Sequence, residues 1–291
     1  MQLTILGSSS ATPTLNRHQT AQVLTYHGKN YLLDCGEGAQ HQMLKYGINQ
    51  HKVACVFISH LHPDHFTGLI GFISTQSLQR RERPLHVYGP AGLQPIIETQ
   101  LSHTGSRLSY PLHFHNLEGI ENGDMLYQDE EVQVAGLNLE HGVPCYGFLF
   151  TERHKRYKLD KAIIQRYPPP VAAYQYLQNG NDYTDPEGQH YKASTYILKN
   201  PERRSFAYLT DTLIQPHLKE WLSGITVLYH EATFTSELSE RAHKTNHTTR
   251  ILRVRSCGII PWYRGSAPLA ATRHASTLPA ESTSSGLSPP G

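Results

Sequence analysis

The sequence predicts a layered α/β sandwich. Short apolar runs rich in β-branched residues alternate with helix-like segments along residues 1–249. These β runs are closer together and more numerous than a doubly wound parallel sheet requires, which favours two stacked sheets. The chain has 291 residues, of which 38% are hydrophobic. That length and composition are enough for one α/β domain with a buried core and an insertion.

The first predicted elements are a strand, a hairpin and a helix. Residues 2–6 alternate in polarity and end at Gly7, which is typical of a strand. Residues 23–26 and 31–34 flank a short polar turn and predict a hairpin. Residues 39–46 predict a helix that Gly47 would end.

A histidine-rich loop follows the next predicted strand. Residues 53–58 are apolar and β-branched, as in a strand covered on both faces. They lead into the segment 59–65, SHLHPDH, where three histidines and an aspartate fall within six residues, and a helix is predicted over 66–78. Imidazoles and a carboxylate at a strand end suit zinc or a similar divalent ion. The alternative is a solvated polar loop in a histidine-rich chain.

Two later strand ends carry further candidate ligands. Strands are predicted over 85–88, 112–114, 132–134, 137–141, 146–150, 205–209 and 225–229, with a helix over 93–101. His141 and Asp211 stand at the ends of two of these strands, although each could simply line a polar edge or cap a turn. Two adjacent ions would need about two donors beyond the loop, which favours both as ligands. His230 and Glu231, after the last strand, could support the site or exchange protons.

Residues 152–204 predict an arm inserted into the domain. Six basic residues crowd its first part: Arg153, Lys155, Arg156, Lys158, Lys161 and Arg166. Tyrosines recur through the rest of the segment. Basic residues interleaved with aromatics suit a nucleic acid, because the basic residues can neutralise its phosphates and the aromatic rings can stack on its bases. A solvated surface excursion is the alternative.

Residues 250–291 differ from the rest of the chain. They contain five arginines, no lysine and one acid, and serine, proline, alanine, glycine and threonine dominate their end. Neither a helical nor a strand period is visible, which predicts a disordered tail. The abrupt change is what a shift of reading frame would produce.

Composition excludes several classes of protein. The net charge of +2 gives no global field for nucleic acids, so any such affinity must be local. The four cysteines are scattered, which argues against a disulfide framework or a cysteine zinc site. No signal peptide or membrane span is recognisable, so a cytoplasmic protein without a membrane partner is expected.

Six motifs occur in the order in which they occur in ribonuclease Z of the metallo-β-lactamase superfamily: LGSSSATPT (6–14), DCGEG (34–38), SHLHPDH (59–65), EHGVP (140–144), TDT (210–212) and HEAT (230–233). The loop at 59–65 resembles the whole superfamily, whereas the last three motifs are more particular to ribonuclease Z. The resemblance covers residues 1 to about 249. It implies a metallo-β-lactamase αββα sandwich as catalytic domain, an exosite arm at 152–204, and a C-terminal strand and helix that are missing here.

The resemblance also implies an activity and roles for individual residues. The activity is zinc-dependent removal of the 3′ trailer from precursor tRNA by a homodimer, leaving a 3′-hydroxyl and a 5′-phosphate. One zinc would be held by His60, His62, His141 and Asp211, and the other by Asp64, His65 and the bridging Asp211. Asp64 would also accept a proton from the attacking water, and Glu231 with His247 would act on the leaving oxygen. The arm would hold the tRNA elbow.

One departure from the family bears on activity. The family's final histidine, in a His-Phe-Ser motif, has no counterpart, and His274 stands without a strand before it. The second zinc site is therefore expected to lack a ligand. Two alternatives stay open. The loop at 59–65 is compatible with another hydrolase of this fold, acting on a small phosphodiester or thioester, and the missing ligand is compatible with a catalytically impaired tRNA-binding remnant.

Overall fold

The fold is built on two sheets whose strands carry the candidate ligands at their ends. The computed structural model describes residues 1–9, 12, 15, 17–153, 157–198, 203–213, 215–231 and 240, and the strand at 258–261. Within these residues both sheets have six strands. The predicted α/β sandwich is confirmed.

The first sheet contains the N-terminal half of the chain. Its strands, in spatial order, are β1 (Gln2–Gly7), β2 (Ala21–Tyr26), β3 (Lys29–Cys35), β4 (Val53–Phe57), β5 (Leu85–Gly89) and β6 (Leu112–Asn116). The first three strands are antiparallel and β3 to β6 are parallel. Four helices accompany them: α1 (Ala39–Lys45), α2 (Pro63–Phe66), α3 (Leu69–Leu78) and α4 (Leu93–His103).

The second sheet contains the C-terminal half. Its strands, in spatial order, are β14 (Gly258–Pro261), β13 (Val227–His230), β12 (Ser205–Leu209), β9 (Cys145–Glu152), β8 (Val132–Leu139) and β7 (Met125–Gln128). The strands β7 to β9 and β12 are antiparallel, whereas β12, β13 and β14 are parallel. Helix α8 (Lys219–Leu222) follows a 3-10 turn at Pro216–Leu218.

Hydrophobic side chains form the layers that the sandwich requires. Helices α1, α3 and α4 pack Met43, Phe72 and Ile97 on the outer face of the first sheet. Leu218 and the partly buried Trp221 pack on the outer face of the second. Between the sheets, the Phe57 ring lies 5.1 Å from that of Phe148, centroid to centroid. Truncating a fully buried phenylalanine there would cost roughly 3–5 kcal/mol.

The arm has a small core of its own. It contains α5 (Lys161–Arg166), α6 (Ala173–Gln178), the two-stranded pair β10 (Tyr183–Thr184) and β11 (His190–Tyr191), and α7 (Ala193–Tyr196). The Asp160 side chain caps α5 by accepting hydrogen bonds from the backbone of residues 162 and 163. Leu177 and Tyr196 are buried in the core of the arm.

The structure corrects three of the predictions made from the sequence. The helix predicted over 66–78 is two helices, since Pro63 starts α2 and Gly68 precedes α3. Residues 132–139 form one strand instead of two, and they pair with β9 at every position without a shift of register. Gly136 lies within this strand, where a Cβ would come within 2.5 Å of Ile120. The tail was expected to lack a strand, yet β14 pairs with β13 from Val227↔Gly258 to His230↔Pro261.

Two expectations from composition can be compared with the described residues. Cys35, Cys55 and Cys145 are buried and not in disulfides, as expected, while Cys257 lies outside the described residues. In the part of the chain that the structure describes, the helices are too short or too polar to span a bilayer.

Candidate metal centre

Three strand ends bring four predicted ligands together. His60 and His62 follow β4, His141 follows β8, and Asp211 follows β12. Their ligand atoms all lie within 4.8 Å of one another. His60 Nε2 is 2.9 Å from His62 Nδ1, which is 3.3 Å from His141 Nε2. Three imidazoles and a carboxylate at this spacing are a donor set that fits zinc.

Backbone hydrogen bonds hold these strand ends against one another. Tyr146 N at the start of β9 donates to the Ser59 carbonyl, 2.9 Å away, which joins the histidine loop to the second sheet. Leu213 N donates to the Glu140 carbonyl at 3.3 Å, which joins the loop of Asp211 to that of His141. The ligands are therefore positioned by both sheets.

Asp64 and His65 lie beside this cluster, on α2. His65 Nε2 is 3.7 Å from Asp64 Oδ2 and 3.5 Å from Asp211 Oδ2. The same Asp211 oxygen is 3.7 Å from His60 Nε2. Asp211 thus stands between two groups of donors, as a carboxylate that bridges two ions must.

The electrostatics of the two buried histidines are opposite. Burial, and then the proximity of His65, lower the pKa of His60 to about 2, which keeps its imidazole neutral and able to bind a metal. Burial alone would also lower the pKa of His65, but the carboxylates of Asp34 and Asp211 outweigh it and raise that pKa well above its usual value. The surplus of carboxylate charge around His65 suits a cation.

Asp34 is a site residue that sequence reasoning did not identify. Its carboxylate is fully buried, and its Oδ2 accepts a hydrogen bond from His65 Nδ1 at 2.7 Å. This bond leaves His65 Nε2 directed toward Asp64 and Asp211, the usual arrangement behind a metal-binding histidine. The only signals in the sequence were its place at the end of β3 and the motif that it opens.

The predicted acid/base residues are only partly described. Glu231 is buried next to the loop of Asp211, where its Oε1 accepts a hydrogen bond from Thr212 N at 3.3 Å. His230 is also buried, and its Nδ1 lies 2.9 Å from the Glu231 carbonyl oxygen. His247 and His274 lie outside the described residues.

The described basic residues among the six predicted in the arm fall into two groups. Lys158, Lys161 and Arg166 are exposed on the arm. Arg153 instead donates from its guanidinium to the carbonyl oxygen of Asp129, in the turn between β7 and β8. Lys155 and Arg156 lie outside the described residues.

A cleft in the arm is lined by basic and tyrosine side chains. It has a volume of about 450 Å³ and is lined by Arg166, Tyr167, His190, Tyr191, Lys192 and Tyr196, among others. The Arg166 guanidinium lies 5.4 Å from the centroid of the Tyr167 ring. Tyrosines next to cations offer both stacking surfaces and charge.

The chain is similar to curated ribonucleases Z over most of its length. It is 42% identical to that of Cytophaga hutchinsonii over 250 residues, which cover 85% of this chain and 79% of the relative. It is 37% identical to that of Bacteroides fragilis strain YCH46, over 85% of this chain and 81% of the relative. For the ribonuclease Z of Prochlorococcus marinus the identity is 32%, over 88% and 83%.

Solved structures have the same fold. Human tRNase Z, short form, is 25% identical with a TM-score of 0.64, covering 86% of this chain and 85% of that one. The Bacillus subtilis protein YhfI, described as a metallo-β-lactamase fold protein, has a TM-score of 0.55 at 15% identity, over 86% of this chain and 78% of that one.

A family model covers the N-terminal part of the chain. The family described as Anti-Pycsar protein Apyc1 matches residues 1–167, which include the first sheet and the 59–65 loop but end before Asp211 and Glu231. Residues 1–167 thus belong to the domain of that family. Since the ribonucleases Z match 85% of the chain at up to 42% identity, the chain as a whole belongs to the ribonuclease Z family of the metallo-β-lactamase fold.

Proposed function

We propose that this chain is a zinc-dependent endoribonuclease that removes the 3′ trailer from precursor tRNA, leaving a 3′-hydroxyl on the tRNA and a 5′-phosphate on the trailer. The observation that carries the proposal is the cluster of His60, His62, His141 and Asp211 within 4.8 Å. The membership of this chain in the ribonuclease Z family supports RNA as the substrate.

The donors form two sets, one for each proposed zinc ion. The first ion would be held by His60, His62, His141 and Asp211, and the second by Asp64, His65 and the shared Asp211. When bound, such ions lower the pKa of a water and stabilise charge on a phosphate. The proximity of Asp64 to His65 supports a role for its carboxylate as acceptor of the proton that the attacking water loses.

The leaving 3′-oxygen needs a proton as the bond to phosphorus breaks. Glu231 is buried beside the loop of Asp211, within a hydrogen bond of Thr212 N. We assign it, together with His247, to that proton transfer. The pairing with His247 rests on the resemblance to the family.

The arm is proposed to hold the body of the tRNA away from the cut. Lys158, Lys161 and Arg166 would neutralise phosphates, and Tyr167 and Tyr191 in the cleft would stack on unpaired bases. The resemblance to the family also implies a homodimer in the cytoplasm. Sedimentation of the purified chain tests whether it is a dimer.

The test is cleavage of a precursor tRNA with a labelled 3′ trailer, with the termini of both products mapped. The proposal expects a cut at the 3′ end of the tRNA body, and loss of cleavage in Asp64→Asn. A chain that hydrolyses small phosphodiesters or thioesters but leaves precursor tRNA intact would be the other hydrolase. Binding of precursor tRNA without any cleavage would identify an impaired remnant.

A further inference from the structure

The buried carboxylate of Asp34 accepts four hydrogen bonds from three residues, two of which are Ser59 and His65. Ser59 donates from its backbone N to Oδ1 at 2.7 Å and from its hydroxyl to Oδ2 at 2.9 Å. His65 Nδ1 donates to the same Oδ2 at 2.7 Å. The Asp34 backbone has a φ of 52°, a left-handed conformation that suits aspartate only when local bonds hold it.

The remaining donor comes from the opposite sheet. The Tyr208 hydroxyl, on β12, donates to Asp34 Oδ2 at 2.6 Å, across 174 residues of sequence. The Tyr208 side chain is fully buried. Its ring stacks with that of Tyr229 at a centroid distance of 5.2 Å and lies parallel to that of Phe148 at 6.5 Å. These rings fix where the hydroxyl can stand.

We propose that Tyr208 is a positioning residue for the second metal ion: its hydroxyl fixes the Asp34 carboxylate that holds His65 by Nδ1, and so fixes the direction of His65 Nε2. Tyr208 and the bridging Asp211 both belong to the β12 end, three residues apart. One strand of the second sheet therefore sets a ligand directly and, through Asp34, orients another on the first. The inference rests on the proposed metal centre but not on the RNA substrate.

A purely structural alternative must be separated from this role. The hydroxyl could matter only because a buried carboxylate needs donors, in which case its loss would lower stability without favouring either ion. The positioning role predicts a selective effect: the ion held by Asp64 and His65 should weaken, while the ion held by His60, His62 and His141 should not.

The experiment is a titration of metal-free protein with Co²⁺, followed by its absorption spectrum, for the full chain and its variants. Tyr208→Phe removes the hydroxyl and keeps the ring. We expect its weaker Co²⁺ ion to bind about tenfold less tightly, the lower end of what is found for outer partners of metal ligands. The tighter ion should bind as in the parent chain.

Tyr110→Phe is the matched control. Tyr110 is also buried and its hydroxyl donates to the Ile73 carbonyl at 3.0 Å, in the helical layer outside the first sheet. Each variant removes the hydroxyl of one buried tyrosine and keeps its ring, so thermal melting of the metal-free proteins shows whether their losses of stability are comparable. Tyr110→Phe should leave both Co²⁺ affinities unchanged.

A double-mutant cycle with Asp34→Asn tests the route. Asparagine tolerates the left-handed backbone of this position and removes the carboxylate. If Tyr208 acts through Asp34, Tyr208→Phe should have no further effect on the weaker ion in the Asp34→Asn background. The proposal is overturned if Tyr208→Phe binds both Co²⁺ ions as the parent chain does, if it weakens both equally, or if the two substitutions are additive.

Discussion

Asp129 shows how much one partly buried carboxylate can contribute to this fold. It lies in the turn between β7 and β8, where its Oδ2 accepts hydrogen bonds from Lys29 at 2.7 Å and Tyr31 at 3.1 Å, both on β3 of the other sheet. Burial alone would raise its pKa, but the bonds from Lys29, from backbone N–H groups and from Tyr127 outweigh burial and lower it to about 2. The carboxylate therefore joins the two sheets in its charged form.

Asp129→Asn should lower the free energy of unfolding by about 2 kcal/mol near neutral pH, from the shift between 3.8 and about 2. A carboxyl whose pKa is lowered by folding stabilises above its unfolded pKa, and that contribution is lost as pH falls from about 4 to about 2. The gap between parent and variant in urea unfolding should thus narrow on acidification. Glu130→Gln, an exposed carboxylate in the same turn, is the control. A gap independent of pH would contradict the argument.

The zinc content of the purified chain is predicted to be closer to one ion than two after mild chelation. His60, His62, His141 and Asp211 form a complete set, whereas the second place has Asp64, His65 and a shared carboxylate. Losing an inner ligand should weaken an ion by at least the ten- to hundredfold known for outer partners. Metal analysis by mass spectrometry gives the number. Two firmly held ions would mean a further ligand, and His274→Ala would be the first substitution to make.

Residues of the site differ in how far the sequence could predict them. His60 to His65 could be predicted because one loop contains four donors at a strand end, a local pattern. His141 and Asp211 needed the argument that strand ends meet at one edge. Asp34 opens a motif, but nothing local assigns it a role, and Tyr208 reads as an ordinary strand position. The bond between them could not be predicted because it spans 174 residues.

At the scale of elements, the arm was predictable by composition but not by shape. Its charge and tyrosines mark it as different from the core, yet its helices are four to six residues long, too short for a helical period to emerge. Arg153, expected to bind RNA, is engaged at the Asp129 turn through its guanidinium. Among the six predicted basic residues, those that the structure describes as exposed are Lys158, Lys161 and Arg166.

Reversing Lys158, Lys161 and Arg166 to glutamate should weaken binding of precursor tRNA and flatten its dependence on salt, because fewer counterions are released. Hydrolysis of a small chromogenic phosphodiester should be nearly unchanged, since the ligands are untouched. The control reverses Lys52, Arg83 and Arg107, which are exposed in the segments that lead into β4, β5 and β6, at the edge of the first sheet opposite the candidate ligands. Equal losses in both triple variants, or equal losses with both substrates, would show that the arm does not bind RNA.

At the scale of the whole molecule, the geometry of the site depends on how the two sheets pack together. The candidate ligands come from both sheets, and the bonds from Tyr146 to Ser59 and from Tyr208 to Asp34 cross between them. A change that loosens the packing of the sheets should therefore weaken metal binding as well as stability. This coupling is a reason to expect the edge strand β14 to matter even though it contributes no described ligand.

Two truncations separate β14 from the residues beyond it. The backbone of β14 is parallel to β13 over four paired positions, and its last residue, Pro261, lacks an N–H, which suits an edge strand. Removing residues 250–291 would expose the edge of β13, and at about 1 kcal/mol for each of two or three lost bonds should lower stability by about 2–3 kcal/mol. Removing only residues 262–291 should change the melting temperature little. Thermal melting and Co²⁺ titration of both truncated chains are the measurements. Equal melting temperatures and Co²⁺ affinities would show that β14 does not contribute to stability or to metal binding. A large loss of either on removal of residues 262–291 would show that the last thirty residues are needed.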